Sequence, residues 1–158
     1  MSNTSTKIGN WLNDTMNVNC FATITFRQCK HHDGGVREWV NAEIIQSACN
    51  EIMLRCVKKT KHISPSNEQK SLFWATFIED GHGNKRLHAH IAISRPSHIS
   101  FVQFSQIFHD LCARFDWIDE RVEIKEINGY DDQRRVLFYC LKEGIDAFQP
   151  NASRLALN

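Results

Sequence analysis

The chain of 158 residues contains no long apolar segment, and no stretch approaches the roughly 18 apolar residues that a membrane-spanning helix needs. Its first residues, MSNTSTKIGNWLND, lack the apolar core of a secretory signal peptide. Charge of one sign is not in excess either, since 19 Lys and Arg face 18 Asp and Glu. We therefore expect no membrane association, and any nucleic-acid binding must depend on local positive charge.

Cysteine pairs at metal-binding or redox spacing are also missing, because none of the six cysteines belongs to a C-x-x-C motif. Cys29, His31 and His32 lie close together, but no second pair stands at a zinc-finger spacing, so a polar loop is favoured over a structural zinc site. This usage favours reduced thiols in a cytosolic or nuclear protein. Four cysteines occur in stretches of helical spacing and are expected to be core residues: Cys49, Cys56, Cys112 and Cys140.

What the chain does contain is enough apolar material for one compact domain, since 42% of its residues are hydrophobic. No internal repeat or low-complexity segment interrupts it. We predict a flexible polar arm at 1–17, a folded domain at 18–148 and a tail at 149–158.

Hydrophobic periodicity predicts four strands and three helices in the order β-α-β-β-α-β-α. The strands are predicted at 20–27, 71–80, 86–94 and 121–127, and the helices at 38–59, 97–115 and 131–143. This order is that of the split βαβ unit, so we predict an α+β, ferredoxin-like sandwich similar to RNA-recognition domains. Its antiparallel sheet of four or more strands should have the first and third strands in the centre. Both crossover helices should cover one face and leave the other open.

Two histidines in the third predicted strand, KRLHAHIAIS (85–94), suggest a metal site. Because side chains alternate along a strand, His88 and His90 should point to the open face, opposite the apolar residues between and beyond them. Two imidazoles on one face can hold a divalent metal, and a carboxylate would complete the set. Glu79, at the end of the neighbouring hairpin strand, can reach this place, with Asp80 and His82 as competing third ligands.

A tyrosine in the last predicted helix lies off its apolar face. In DDQRRVLFYCLKEGI (131–145), Tyr139 shares the polar stripe with Arg135 four residues before it and Lys142 three residues after it. A phenol between two cations is suited to a phosphate, because the cations can neutralise phosphate oxygens while the tyrosine oxygen attacks phosphorus.

Three motifs in this order resemble those of the HUH-type rolling-circle replication initiators, the Rep endonucleases of small plasmids, phages and single-stranded DNA viruses. FATITF (21–26) is similar to their first motif, LHAHIAI (87–93) to the HUH motif, and YCLK (139–142) to the Y-x-x-K motif. The resemblance covers residues 18–145, and it assigns 18–148 as an HUH endonuclease domain ending in a catalytic helix.

The resemblance implies a metal-dependent nickase and strand-transferase that acts on single-stranded DNA, which can be part of a hairpin, at a replication origin. His88, His90 and Glu79 would then be the ligands of Mn²⁺ or Mg²⁺, and the metal would polarise the scissile phosphate. Tyr139 would be the nucleophile that forms a 5′-phosphotyrosine and releases a 3′-hydroxyl, with Lys142 as its helper. The protein would act in the cytoplasm of a bacterial or archaeal cell, or in the nucleus for a eukaryotic virus.

Other basic residues flank these motifs and are expected to contact the DNA backbone, which positions a strand without reading its sequence. These residues are Arg27, Lys30, His31, His32, Lys85, Arg86 and Arg135.

The chain also departs from the family pattern. Only one tyrosine stands in the last motif, so it resembles the single-tyrosine class, and Tyr130 on the preceding loop is a poor second nucleophile. No Walker motif or helicase segment follows, so a helicase partner would come from the host or from a longer chain.

Two other functions remain open. HUH single-strand transposases share the order of histidines before tyrosine, although their tyrosine helix typically supplies a Gln to the metal where this chain has Lys142. A non-catalytic module like an RNA-recognition domain could stack bases on Phe73 and Phe77 of the open face. The RNP signature of such domains is missing, and Glu79 on the same face would repel phosphate without a metal.

Overall fold

The computed structural model describes residues 2–61, 72–79, 86–142 and 144–155. Its helices are α1 (Asn3–Thr15), α2 (Ala42–Lys61), α3 (Phe101–Cys112) and α4 (Tyr130–Cys140). Its strands are β1 (Cys20–Phe26), β2 (Cys29–His31), β3 (Arg37–Trp39), β4 (Phe73–Glu79), β5 (His88–Ser94) and β6 (Ile118–Glu126).

Four strands form an antiparallel sheet in the order β4-β5-β1-β6, which places β5 and β1 in the centre. The crossover helix α2 lies between β1 and β4 along the chain, and α3 lies between β5 and β6. This is the α+β, ferredoxin-like arrangement of a split βαβ sandwich, and it confirms the fold predicted from the sequence.

One face of the sheet packs against α2 and α3 and holds the larger core. Alternate residues of β5, Ala89, Ile91 and Ile93, are fully buried there with Ile52 of α2 and Phe104 of α3. Helix α3 begins with a capping box between Ser100 and Gln103 and directs Phe104, Phe108, Leu111 and Cys112 inward. The predicted orientation of the apolar residues of β5 is therefore confirmed.

The opposite face is not open, because α1 and α4 cover part of it. The flexible arm predicted at 1–17 is wrong for residues 3–15, which form α1 with Ser2 as its N-cap. Leu12 and Met16 are buried in one cluster with Leu137 of α4 and Leu141, the residue after α4. Gly9 permits this close approach, since a Cβ atom there would lie 3.0 Å from the Phe138 ring.

Strands β2 and β3 form a short hairpin that follows β1 along the chain. The sequence predicted a polar loop around His31 and His32 and a helix from residue 38, but Cys29–His31 and Arg37–Trp39 are extended and α2 begins at Ala42. Gly34 and Gly35 both have φ near +80°, a region that residues with a Cβ atom rarely adopt, and they close this hairpin.

The segment predicted as a tail packs along the outer edge of β4. The backbones of Trp74 and Arg154 exchange hydrogen bonds of 2.8 and 2.9 Å, and Ala152 is fully buried. The carbonyl of Ala152 accepts hydrogen bonds from the Trp74 indole and the Thr76 hydroxyl. Residues 149–155 therefore belong to the folded unit, while 156–158 lie outside the described residues.

All six cysteines are free, as the absence of paired spacings predicted. Across the parts of the chain that the structure describes, no helix is long and apolar enough to cross a membrane.

Candidate metal and nucleotidyl-transfer site

The register of the central strands brings the two histidines together with one carboxylate. His88 lies opposite Glu79 of β4 on one side and Thr25 of β1 on the other. His90 likewise lies opposite Thr23 of β1. Residues directly opposite each other in an antiparallel sheet share a face, so these side chains stand on the face covered by α4.

Glu79 connects the sheet to the helix that carries the tyrosine. Its Oε2 accepts a hydrogen bond of 3.0 Å from Nε2 of His90, and its Oε1 accepts one of 3.1 Å from Nζ of Lys142. The sequence predicted Glu79 beside His88, which is its backbone partner, but the carboxylate reaches diagonally to His90. Asp80 and His82, the competing third ligands, lie outside the described residues.

The charges of Glu79, His90 and Lys142 follow from burial and from the two hydrogen bonds that Glu79 accepts. Burial would raise the pKa of Glu79, but the bonds from His90 and Lys142 outweigh it and lower that pKa to about 2. Burial also lowers the pKa of His90, although Glu79 opposes the change. The pKa of Lys142 is raised because contacts with Tyr139 and Glu79 exceed the opposing effect of burial. Near neutral pH the group therefore holds a carboxylate, a neutral imidazole and an ammonium.

Two threonine hydroxyls hold the other ring nitrogens. Thr23 Oγ1 lies 3.1 Å from Nδ1 of His90, and Thr25 Oγ1 lies 3.1 Å from Nδ1 of His88. A neutral His90 that donates from Nε2 to the Glu79 carboxylate must accept at Nδ1, so the Thr23 hydroxyl donates there. Both imidazole planes are thereby oriented by β1.

Tyr139 of α4 closes the site from above the sheet. Its ring meets the His90 ring edge to face, with centroids 5.6 Å apart, and Nζ of Lys142 lies 3.9 Å from the centre of the tyrosine ring. On the side of β1, Phe21 stacks on His90 with centroids 5.5 Å apart. The tyrosine is 47% exposed, so it is accessible from solvent. A cleft of about 640 Å³ runs past these rings, and Arg135 and Lys125 contribute to its lining.

The donor set fits a divalent cation by its chemistry. Two imidazoles and one carboxylate lie on one face, and histidine ligands commonly have their second ring nitrogen fixed by a hydrogen bond, as Thr23 and Thr25 provide here. Among the residues that the structure describes, no three His, Cys, Asp or Glu side chains already form a ligand cluster. Instead, the two atoms that would face a metal, Nε2 of His90 and Oε2 of Glu79, are hydrogen-bonded to each other.

Apart from Arg135, the described residues that were predicted to contact DNA lie outside this cleft. Arg27 lines a separate cleft between α3 and β6. Lys30 pairs with Asp116 at 3.7 Å and lies over the Trp117 ring, and Arg86 pairs with Asp119.

His31 and His32 are exposed on and beside the hairpin, where His32 bonds to Glu38 at 2.9 Å. Arg135 is the member of the predicted set that lines the cleft, and it pairs with Asp132 at 3.0 Å. Lys85 lies outside the described residues.

Sequence reasoning did not identify Phe21, Thr23 and Thr25 as parts of the site. Alternation along FATITF places these three residues on one face, which was a usable signal. The register that sets each threonine beside one histidine comes from the pairing of β1 with β5.

Comparisons with protein-family models, with curated proteins and with solved structures find no significant match to this chain.

Proposed function

We propose that this protein is a metal-dependent endonuclease and strand-transferase of the HUH type that nicks single-stranded DNA at a replication origin. The observation that carries the proposal is the position of Tyr139, whose ring contacts His90 and lies beneath the Lys142 ammonium in one solvent-accessible cleft. The order of the three motifs, which resembles that of Rep endonucleases, supports the same function.

The residues of the cleft account for the chemistry. His88, His90 and Glu79 would hold Mn²⁺ or Mg²⁺, which when bound supplies Lewis-acid polarisation of a phosphate oxygen. Tyr139 Oη gives its proton to solvent water and attacks phosphorus, the bond from phosphorus to the 3′-oxygen breaks, and that oxygen takes a proton from water. The product is a 5′-phosphotyrosine and a free 3′-hydroxyl. Lys142 places a positive charge beside the phenol, where it would stabilise negative charge on the phosphate oxygens during the attack.

The covalent bond to tyrosine keeps the energy of the cleaved phosphodiester. A 3′-hydroxyl can attack the phosphotyrosine, restore a phosphodiester and return the proton to the tyrosine oxygen, so rejoining needs no nucleotide cofactor. The expected partners are an origin strand and a helicase of the host or of a longer chain. The expected compartment is the cytoplasm of a bacterial or archaeal cell, or the nucleus of a cell infected by a virus.

A covalent adduct is the direct test. Protein is incubated with single-stranded oligonucleotides spanning its own replicon, with Mn²⁺ or with EDTA, and is then separated on a denaturing gel. We expect a metal-dependent band shifted by the mass of an oligonucleotide fragment, and we expect Tyr139→Phe to lose it. Tyr130→Phe is the matched control, because Tyr130 is the other tyrosine of the chain and is 61% exposed at the start of α4. An adduct that persists in Tyr139→Phe would overturn the assignment of the nucleophile.

A non-catalytic module that stacks bases on the sheet is less well supported. Phe77, one of the two aromatics expected to serve it, is fully buried and packs against Phe148 with ring centroids 5.6 Å apart. Helices α1 and α4 also cover part of the face that such modules leave open. Tight strand binding without an adduct on any replicon oligonucleotide would favour that function.

A further inference from the structure

The hairpin of β2 and β3 exposes an aromatic side chain that contributes to neither hydrophobic core. Trp39 is 64% exposed, the largest exposure of any tryptophan among the described residues. Its partner across the hairpin is Cys29, and the next pair on the same face is His31 with Arg37. Residues paired in this way share one face with their neighbours two positions away, so Trp39, Arg37 and His31 lie together. We call these three residues the outer hairpin face.

The other face of the hairpin turns toward the domain. Lys30 contacts Trp117 and Asp116 from that side, and Glu38, its cross-strand partner, bonds to His32. The Glu38 carboxylate therefore lies on the face opposite the outer hairpin face. Beside the Cys29 thiol, the outer hairpin face carries a guanidinium, an imidazole and an indole, a combination complementary to an anion that carries flat rings.

The hairpin is a direct continuation of the strand that supports the candidate site. Thr25, beside His88, is four residues before Cys29, a separation of at most about 14 Å for an extended chain. A strand bound in the cleft therefore needs to extend only a short distance to meet the hairpin.

We propose that the outer hairpin face binds an unpaired stretch of the nucleic-acid strand, with one base stacked on the Trp39 indole and a neighbouring phosphate paired with Arg37. Stacking on an aromatic side chain tolerates any base, because every base has a π face. The guanidinium matches a phosphate with two parallel donors. This inference deepens the proposed endonuclease function and rests on it for the identity of the strand as DNA.

Fluorescence titration separates this contact from cleavage. An unstructured oligothymidine strand is titrated in EDTA into wild type, Trp39→Phe, Trp39→Ala and Arg37→Gln, and tryptophan emission is followed. Trp11→Phe is the matched control, since Trp11 is 41% exposed on α1, outside the hairpin.

We expect the oligothymidine strand to quench the tryptophan emission of wild type and of Trp11→Phe, and to quench that of Trp39→Phe far less. Trp39→Ala should weaken binding about tenfold, within the range that base stacking provides, and Arg37→Gln should reduce the salt dependence of binding. Unchanged quenching and affinity in both Trp39 variants would overturn the proposal. Equal binding of a fully paired duplex would also overturn it, because paired bases cannot stack on the indole.

Two further outcomes distinguish the inference from the function it rests on. Normal adduct formation with no effect of Trp39 on binding or quenching would reject the hairpin contact and leave the endonuclease intact. Strand binding that depends on Trp39, without any adduct, would keep the contact and reject the endonuclease. Self-association through Trp39, seen by sedimentation without strand binding, would overturn the proposal in favour of a contact between copies.

Discussion

The two faces of the four-stranded sheet come from the same strands but bury different chemistry. The face under α2 and α3 buries apolar side chains such as Ile24, Ile91 and Phe104, all fully enclosed. The face under α1 and α4 encloses His90, Thr25 and Gln133 as well as apolar residues. Because alternate residues of β5 serve opposite faces, a single strand contributes to the main core and to the candidate site.

The polar face can be buried because its groups are paired with each other. His90 is 6% exposed, and its two ring nitrogens are bonded to Thr23 and Glu79. An unpaired polar group in such a place costs about 1–3 kcal/mol, so the pairs must be complete for the face to be stable. We infer that the apolar face dominates stability, whereas the polar face fixes the positions of the two histidines and Glu79.

The largest expected effects come from two substitutions on β5, one on each face of the sheet. They test whether the apolar face determines stability and the polar face determines activity. Ile91→Ala should lower the free energy of unfolding by about 2–5 kcal/mol because it leaves a cavity, and its folded fraction should still form the adduct. His88→Ala should lower it by about 1 kcal/mol through the lost bond to Thr25 and should abolish the adduct. Urea denaturation and the adduct gel measure both effects. Equal destabilisation by the two variants would contradict the division.

A smaller effect is expected where α4 meets the chain before β1. Gln133 is buried, accepts a hydrogen bond of 2.8 Å from the Val18 N–H and donates one of 2.7 Å to the Asn13 carbonyl. Gln133→Ala should lower the free energy of unfolding by about 1–3 kcal/mol, since both partners lose their bond. Gln106→Ala is the control, because Gln106 is exposed on α3 and should stay within about 0.5 kcal/mol of wild type. Similar urea midpoints for the two variants would show that this junction contributes little.

Removal of the threonine hydroxyls is expected to have the smallest effect on stability. Its effect on metal binding should be larger. Thr23→Val and Thr25→Val keep the side-chain shape and remove one hydrogen bond, at about 1 kcal/mol or less each. Loss of the bond that orients an imidazole should weaken Mn²⁺ binding about 10- to 100-fold, as measured by calorimetry. Thr6→Val, exposed on α1, is the control. Unchanged affinity in both variants would mean that the threonines do not orient metal ligands.

Much of the fold could be predicted because its strands and helices carry strong periodicity. Alternation around His88 and His90 correctly separated the two faces, and the order of elements predicted the ferredoxin-like sheet. Helix α1 was missed because Asn, Ser, Thr and Gly are poor helix formers. It is stabilised by packing Leu12 and Met16 onto α4, a tertiary effect that local propensity does not report.

The candidate site was predictable only in part. The sequence placed the histidines, the tyrosine and Glu79 across the hairpin from His88, but it did not give the bond between Glu79 and His90, and it expected Lys30 to be available for DNA. Diagonal reach across a sheet brings the Glu79 carboxylate to His90, and the hairpin turns Lys30 onto Trp117. Both outcomes depend on register and on which face of an element packs inward.

The contact of Gly9 with Phe138 limits how far α4 can turn about its own axis. Phe138 and Tyr139 are adjacent on that helix and point about 100° apart, so the first rests on α1 while the second overhangs the cleft. At a radius of about 6 Å, a turn of only about 10° would carry the tyrosine side chain sideways by about 1 Å. Displacements of that size cost enzymes about 100-fold in rate. Gly9, which has no side chain and is distant from the histidines in sequence, thus limits the angle at which Tyr139 meets the cleft.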